Sequence, residues 1–554
     1  MNLLDRFINI DGNATYEVAK RDYKLKVPGN FNFAYDVVDE YARLCPEKRA
    51  LVWCNDENEE HFFSFKEISD DSKRTAQFFV KQGIKKGDRV MVFLRRRYEY
   101  WWIAVALHRI GAIVVPATTQ LLADDIVYRN NAADIKMIVA LDDKKIPKQI
   151  MEAMNKSPSV EKLVSVSGPR EGWIDFHKEL ESCTPDFPRP EGEAATCNED
   201  PMLMYFTSGT SGYPKMVLHN FLYPLGHIVT AKFWQNVTDD GLHLSVAETS
   251  WAKAGWGKIY GQWISGTAIF VYDMLGFTPD LFFKKISHYK VTTFCAPATV
   301  YRFLIRQDLS KYDLSNLRYC VTAGEALNAE VYNRFYEKTG LRIFEGFGQS
   351  ETPVIAGNFP GIEPRPGSMG KAAPGIDLEV VDENGNHCPP HQVGHMVIHL
   401  EKGRPVGLLC GYYRNEDQTK KALGGPLYDT GDTAYYDEDG YIWFVGRSDD
   451  IIKSSGFRIS PFEVESVLQE HPAVLESAVT GVPDEKRGQL VKATIVLNKG
   501  YTASEELELE IKTYVKQHLA VYKIPRMVEF VDELPKTSSG KIRRMEIRKK
   551  DSSK

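Results

Sequence analysis

The sequence predicts an α/β fold: a large N-terminal domain of two helix-covered, mostly parallel sheets with a small β-barrel-like subdomain, followed by a small α+β domain. Three observations carry this. Short apolar runs alternate with helical stretches from about residue 49 to 140 and again from 267 to 323, as strands joined by crossover helices in parallel sheets would. Beyond Pro364 the runs shorten, with turns such as Asn384-Gly385-Asn386 between them, which is the pattern of small antiparallel structure. The 554 residues with 43% hydrophobic content also exceed what one core usually holds, so two or more domains are expected.

Taken in order, Ala50-Leu51-Val52-Trp53 reads as a strand, and Ser64 with Glu67 as a capping box opening a helix through about Gln82. Arg89 to Leu94 is the next strand, Tyr100 to Ile110 a buried helix, and Ala112 to Val115 and Ile135 to Ala140 two further strands. Arg95-Arg96-Arg97 is expected to be a solvated loop at a strand end rather than a phosphate patch. Residues 141 to 200 are polar and carry Pro185, Pro188 and Pro190, so they read as a connection leading into the apolar strand Pro201 to Tyr205. In the second alternation, strands near Thr267–Val271, Val291–Cys295 and Tyr319–Thr322 flank helices from Pro279 to His288 and from Pro297 to about Ile305. Near the end, Ser460-Pro461-Phe462-Glu463 starts a helix with Pro at the first helical position. Strands about Glu476–Thr480 and Val491–Leu497 follow, then a helix capped by Thr502 with Glu505, then Met527 to Val531. The polar run Arg447-Ser448-Asp449-Asp450 divides the chain into domains of residues 1–448 and 449–554.

A formal net charge of -6 with interspersed signs gives no basic surface for nucleic acid. The eight Cys form no C-x-x-C pair and no cluster, so neither a zinc ribbon nor a disulfide framework is indicated. A reducing cytoplasm is the expected compartment. The opening Met1-Asn2-Leu3-Leu4-Asp5-Arg6 carries charges where a signal peptide would be apolar. No apolar run reaches the ~18 residues of a membrane span. The expected partners are small molecules, and a homo-oligomer is compatible with this composition.

Chemistry concentrates after the strand ending at Tyr205. In Phe206-Thr207-Ser208-Gly209-Thr210-Ser211-Gly212-Tyr213-Pro214-Lys215, two glycines let backbone N–H groups approach phosphate oxygens, four hydroxyls donate, and Lys215 adds positive charge. No Gly-Lys-Ser/Thr follows a four-residue gap, so this is not the Walker pattern.

The decapeptide resembles the phosphate loop of the adenylate-forming superfamily of acyl-CoA synthetases, luciferases and peptide-synthetase adenylation domains. Glu345-Gly346-Phe347-Gly348-Gln349-Ser350-Glu351-Thr352, Tyr428-Asp429-Thr430-Gly431-Asp432, Gly446 to Lys453 and Pro535 to Lys541 match in order along essentially the whole chain. Flanking residues such as His471-Pro472-Ala473-Val474 most resemble medium-chain acyl-CoA synthetases.

The resemblance implies ATP, Mg²⁺ and coenzyme A, a carboxylic acid substrate, and a mobile C-terminal domain turning about Asp449. Nucleotide contacts would come from Thr207, Ser208, Gly209, Thr210, Ser211, Gly212 and Lys215, from Gly324, Glu325 and Ala326, and from Glu345, Gly346, Phe347, Gly348 and Ser350. Asp432 and Arg447 would hold the ribose hydroxyls. Glu351 and Ser350 would hold Mg²⁺, a hard cation suited to oxygen ligands. Lys541 would meet charge developing at the α-phosphate, and Gly456 would admit the pantetheine arm. Arg458, Arg487 and Lys516 would contact the nucleotide of coenzyme A, while Ile524 stands where the resemblance calls for an aromatic ring. The acyl pocket is expected between Trp251, Ala254, Gly255 and Trp256 and the strand end at Cys295 and Ala296. Trp is most often core, but a Trp facing the pocket would shorten it, which points to a short, medium or branched aliphatic acid, with aryl acids as competitors.

Two other classes stay open on residues alone. Gly348-Gln349-Ser350-Glu351-Thr352 falls one residue short of the G-x-S-x-G nucleophile elbow of serine hydrolases. A non-catalytic nucleotide sensor is the other, although it would need no catalytic Lys on a mobile domain.

Overall fold

The structure, a computed structural model, describes residues 3–207, 214–325, 327–536 and 542–552. The first sheet has eight strands in the order Gly411–Tyr412, Lys215–Asn220, Pro201–Thr207, Ile113–Pro116, Arg89–Phe93, Ile135–Ala140, Lys162–Ser165 and Ile174–Asp175. From Pro201–Thr207 onward the neighbours are parallel, while the two strands at the other edge pair antiparallel. The second sheet has nine strands, built around a parallel core of Leu242–Ser245, Ala268–Asp273, Thr293–Cys295, Tyr319–Ala323 and Ile343–Gly348.

Helix Glu99–Ile110 is buried at every position. Largely apolar, with Glu99, His108 and Arg109 each met by a partner, it needs cover on all sides, and its residues join one core cluster with Val90 and Val92 of the first sheet and Ile269 and Val271 of the second. Ser64 caps helix Phe65–Lys81 with both reciprocal bonds of the capping box in place. Beyond Pro364, Leu378–Val381, Gly394–His399, Leu427–Tyr436 and Ile442–Arg447 form a four-stranded antiparallel sheet. After Asp450 a further antiparallel sheet, joined in parallel by Met527–Phe530, packs helices Pro461–Glu470 and Glu505–His518 over its own core of Ile452, Leu468, Val491 and Ile511. No helix among the described residues is long and apolar enough to cross a membrane.

Four expectations change. Arg49–Asn55, expected to begin the first alternation, pairs instead with Ala268–Asp273 of the second sheet. Residues 141–200 are more than a connection, because Lys162–Ser165 and Ile174–Asp175 extend the first sheet and Ile146–Met154 is a helix. Helix Glu505–His518 is capped by Ser504, whose side chain accepts from Leu507 N–H, and not by Thr502. A cap must stand immediately before the first helical residue for its oxygen to reach that N–H.

The fourth is Arg95-Arg96-Arg97, which is not a solvated run. Arg97 forms a bidentate pair with fully buried Glu99 at 2.7 and 3.0 Å. Arg96 donates to the Val246 carbonyl at 3.3 Å, and burial lowers its pKa against the pull of Glu248 and Asp273. The run can be half-buried because Arg97 is met by a carboxylate two residues along the chain and Arg96 faces Glu248 and Asp273, which are remote in sequence.

Candidate functional site

Residues from three stretches remote in sequence, at His219, Tyr412 and Tyr428 to Asp432, converge on Gln349-Ser350-Glu351. The strand Ile343–Gly348 ends just before this tripeptide, and Gln349 N–H donates to Thr352 Oγ1 at 2.9 Å, closing the turn. Gln349 Nε2 donates to the Thr430 carbonyl at 2.7 Å and to Asp432 Oδ2 at 2.6 Å, while its Oε1 accepts from Tyr428 OH at 3.1 Å. Gln349 was not among the expected contacts, although it stands inside the motif that supplied them. It anchors Asp432, which is 4% exposed, at the position expected for a ribose contact.

Arg447 pairs in register with Asp432 across the antiparallel ladder, its Nη1 3.5 Å from Asp432 Oδ1 and its Nε 3.7 Å from Asp449 Oδ1. Gly431 at φ +70° brings the backbone against that guanidinium: an added Cβ would lie 3.2 Å from Nη2.

On the other flank, Glu351 Oε1 accepts from Tyr412 OH at 3.2 Å, and the Lys215 ammonium stands over the Tyr412 ring at 5.3 Å. Thr207 and Lys215 face each other across the ladder of Pro201–Thr207 and Lys215–Asn220. Ser208, Gly209, Thr210, Ser211 and Gly212 lie outside the described residues, as do Ala326 and Lys541. The Ser350 carbonyl accepts from His219 Nε2 at 2.8 Å, and since a carbonyl can only accept, this ring carries its hydrogen on Nε2. Burial lowers the His219 pKa to about 4, so the imidazole is neutral.

Glu345 and the Gly324–Glu325 turn form an adjoining wall. Glu345 Oε1 accepts from Leu327 N–H at 3.2 Å, while Oε2 is buried with no partner among the described residues. Burial pushes this carboxyl up to about 8, so it is mostly protonated at neutral pH. Gly324 at φ +89° presses on Lys253, which donates to the Ala323 carbonyl. Glu325 Oε2 accepts from Thr299 N–H at 3.1 Å and Thr299 Oγ1 at 2.6 Å. Gly346 and Gly348 permit close packing, because a Cβ on either would come within 2.4 Å of the Trp234 or Trp256 indole respectively. Phe347 packs against Phe444, with centroids 6.1 Å apart.

The expected acyl wall is divided. Trp251, Cys295 and Ala296 line a cavity of about 220 Å³ with Arg96, Lys253 and Phe277. Ala254, Gly255 and Trp256 are buried beside it. Trp256 crosses Trp234 at 90° with centroids 6.2 Å apart, and Gly255 packs under the hydroxyls of Tyr223 and Tyr205. They sit on helix Ala252–Gly257, which turns successive residues through about 100° and so cannot aim all of them at one space. Trp234 was not anticipated, since a Trp in an apolar helical stretch carries no signal separating it from core.

Of the residues beyond Asp450, Gly456 lies in an exposed turn at φ +84°, with nothing among the described residues within 4 Å of an added Cβ. Arg458 belongs to the strand Phe457–Ile459. Arg487 and Lys516 are exposed, and the Arg487 carbonyl accepts from Ser455 N–H at 2.8 Å. Next to Gly456, the half-exposed rings of Phe457 and Tyr522 stack with centroids 4.2 Å apart and planes 12° off parallel.

Among the described residues no group of three or more His, Cys, Asp or Glu forms a ready metal cage. Mg²⁺ does not need one, because it is commonly held by one or two carboxylates together with substrate phosphates and water. Glu351, with one oxygen bonded to a neutral phenol, fits that mode.

A family model described as AMP-binding enzyme matches residues 38–413, and one described as AMP-binding enzyme C-terminal domain matches residues 463–541. The human acyl-coenzyme A synthetase ACSM3, mitochondrial, is 41% identical over 551 residues, covering 97% of this chain and 92% of its own. Human ACSM4, also named as mitochondrial, is 40% identical over 532 residues, covering 94% and 91%. Among solved structures, the anthranilate CoA ligase AuaEII in complex with anthranoyl-AMP superposes with a TM-score of 0.86 at 29% identity, covering 95% of this chain and 98% of that one. A benzoate CoA ligase from Burkholderia xenovorans LB400 gives a TM-score of 0.81 at 25% identity, covering 94% of this chain and 100% of that one.

The mitochondrial relatives overturn the expectation of a cytoplasmic protein. Unpaired cysteines report a reducing environment, and a reducing environment does not distinguish the cytosol from other reducing compartments.

Proposed function

The chain belongs to the AMP-binding enzyme family, and from that premise we propose the following assignment of its chemistry. The protein is an AMP-forming acyl-CoA synthetase: a carboxylate attacks the α-phosphate of ATP to give acyl-AMP and pyrophosphate, and the thiol of coenzyme A then displaces AMP to give the thioester. The observation that carries the reading is Gln349-Ser350-Glu351, with the Asp432 and Arg447 pair on one flank and Glu351, Tyr412 and Lys215 on the other. Those flanks suit the two ends of a nucleotide: acceptors for vicinal hydroxyls at one, cations and a metal-binding carboxylate at the other.

Asp432, held by Gln349, would orient the ribose, and Arg447 would hold its second hydroxyl. Thr207, Lys215 and the residues between them would cradle the phosphates. Mg²⁺, held by Glu351 and Ser350, would neutralise the phosphate charge when bound. The acid needs no general base, since a carboxyl of pKa about 4 to 5 is already ionised at neutral pH. AMP leaves from the mixed anhydride far more readily than oxide would leave from a carboxylate, which is why activation precedes thioester formation. We assign the domains to residues 1–448 and 449–554, with Asp449 as hinge, Lys541 serving the first step and Gly456 the second.

A serine hydrolase is disfavoured at Ser350. His219 is spent on the Ser350 carbonyl, and burial keeps it neutral. The assignment is tested by pyrophosphate release from a panel of carboxylic acids with and without coenzyme A. Release that needs an acid and continues to thioester supports it, and hydrolysis without ATP would refute it.

The acid is assigned as short, medium or branched aliphatic, with aryl acids as the second reading, because an indole and apolar side chains form most of the wall of a cavity of about 220 Å³, beside Arg96 and Lys253. Trp251→Ala should therefore raise the kcat/KM ratio of octanoate over butyrate, by up to on the order of 4-fold for each methylene accommodated. An unchanged chain-length profile would remove Trp251 from the pocket wall.

For coenzyme A, the exposed Phe457 and Tyr522 stack beside Gly456 provides the flat aromatic surface that Ile524 does not. Tyr522→Ala is expected to raise the KM for coenzyme A roughly 5-fold or more, on the scale of one base–aromatic stack. ATP–pyrophosphate exchange should be unaffected, and an unchanged KM would rule out the stack as the platform.

A further inference from the structure

A side-chain bridge runs from the nucleotide wall to the C-terminal domain. Arg302, on helix Ala298–Leu304, donates from Nη1 to Gln469 Oε1 at 2.7 Å and from Nη2 to Thr299 Oγ1 at 2.6 Å. Thr299 passes its own hydroxyl hydrogen to Glu325 Oε2, which lies 3.6 Å from Arg302 Nη2. Each group is used in keeping with its capacity: the hydroxyl accepts once and donates once, the carboxylate only accepts, and the guanidinium only donates.

Gln469 stands near the end of helix Pro461–Glu470. That helix is docked at its other end, where Phe462 packs edge-on against Phe444 and the Ser460 hydroxyl bonds the Val445 carbonyl. The helix is therefore held near both ends against the large domain. The docking at Phe462 lies close to the hinge and can persist through a small rotation. The contact at Gln469 lies farther out on a rigid element, so a rotation about Asp449 must break it.

We propose that Arg302 is a positioning residue that couples the Gly324–Glu325 wall to domain orientation by clasping Gln469. The clasp favours the orientation seen here, in which the Gly456 turn lies exposed rather than at the acyl group. It thereby favours acyl-AMP formation over thioester formation. A nucleotide that orders the wall fixes Glu325, Glu325 and Thr299 fix the guanidinium, and the guanidinium presents a preorganised donor to Gln469. The inference rests on the alternating-domain reading of the two half-reactions.

The test uses Gln469, which touches neither the wall nor the substrates. In Gln469→Ala, acid-dependent ATP–pyrophosphate exchange should slow by about 5-fold, the scale of one charge-assisted hydrogen bond at a partly exposed position. Thioester formation from synthetic acyl-AMP should be equal to wild type or faster. Gln469→Glu, which sets a carboxylate against Arg302, should do the opposite, preserving exchange and slowing the thioester step. A substitution that merely damaged the fold would not move the two half-reactions in opposite directions, and melting curves would register it.

A second readout needs no substrate. Trypsin cleavage in the Arg447–Asp450 linker should be faster than wild type in Gln469→Ala and slower in Gln469→Glu. If no acid supports exchange in the wild type, the functional assignment falls while the cleavage rates still decide the clasp. If exchange is present but both variants keep the wild-type ratio of half-reaction rates and the wild-type cleavage rate, the clasp is refuted.

Discussion

Lys541→Ala should lose roughly 10²-fold or more in acyl-AMP formation and retain thioester formation when supplied with synthetic acyl-AMP, as expected for removing one preorganised charge stabiliser. Two anions must be brought together in the first step, and negative charge builds on the oxygens around phosphorus as they meet. A fixed ammonium lowers that barrier. In the second step a neutral anhydride carbon meets a thiol, and the same charge is not required. Gly456→Asn should show the reverse. Asn tolerates the left-handed backbone that Gly456 adopts at φ +84°, and nothing among the described residues lies within 4 Å of the added Cβ in the present orientation, so the fold and the first step should survive. The side chain would obstruct the pantetheine path only once the turn reaches the acyl group. Measuring each half-reaction separately decides the matter. If Lys541→Ala impaired both steps equally while still folded, one fixed site geometry would replace alternation.

Glu351→Gln should also cost about 10²-fold in acyl-AMP formation, and its Mg²⁺ titration should shift to higher concentration. The substitution keeps shape and removes charge. The amide oxygen can still accept from Tyr412 OH, which now holds Glu351 Oε1 at 3.2 Å, so the local turn should persist. What is lost is the anionic oxygen that a hard cation prefers, and with it the orientation of the phosphates. Wild-type Mg²⁺ dependence in this variant would move the metal assignment away from Glu351.

The elements were legible where their cause is local. The Ser64 and Glu67 capping box, the helix starting at Pro461 and the largely apolar helix ending at Ile110 each carry their signal within a few residues. The motif segments were legible too, because each fixes several residue types in short order. Even so, the motif did not reveal that Gln349 is the group tying Thr430, Asp432 and Tyr428 together, since its partners lie 79 to 83 residues away in the chain.

The sequence by itself determined the α/β class, most strands and helices, and the identity of the segments expected to bind nucleotide, since periodicity, capping and motif spacing are properties of neighbouring residues. Only the tertiary structure decided that Arg49–Asn55 joins the second sheet beside Ala268–Asp273. It also decided that Arg96 is held by the Val246 carbonyl and faces Glu248 and Asp273, and that the expected acyl wall divides between a cavity at Trp251 and a packed cluster at Trp256. The clasp from Arg302 to Gln469 spans 167 residues of chain and has no local signature. The physical reason is the same in each case. A strand's partner, a buried charge's counter-ion and a pocket's walls are set by which distant surfaces pack together, and that choice depends on the summed burial of the whole chain, which no short window of sequence contains.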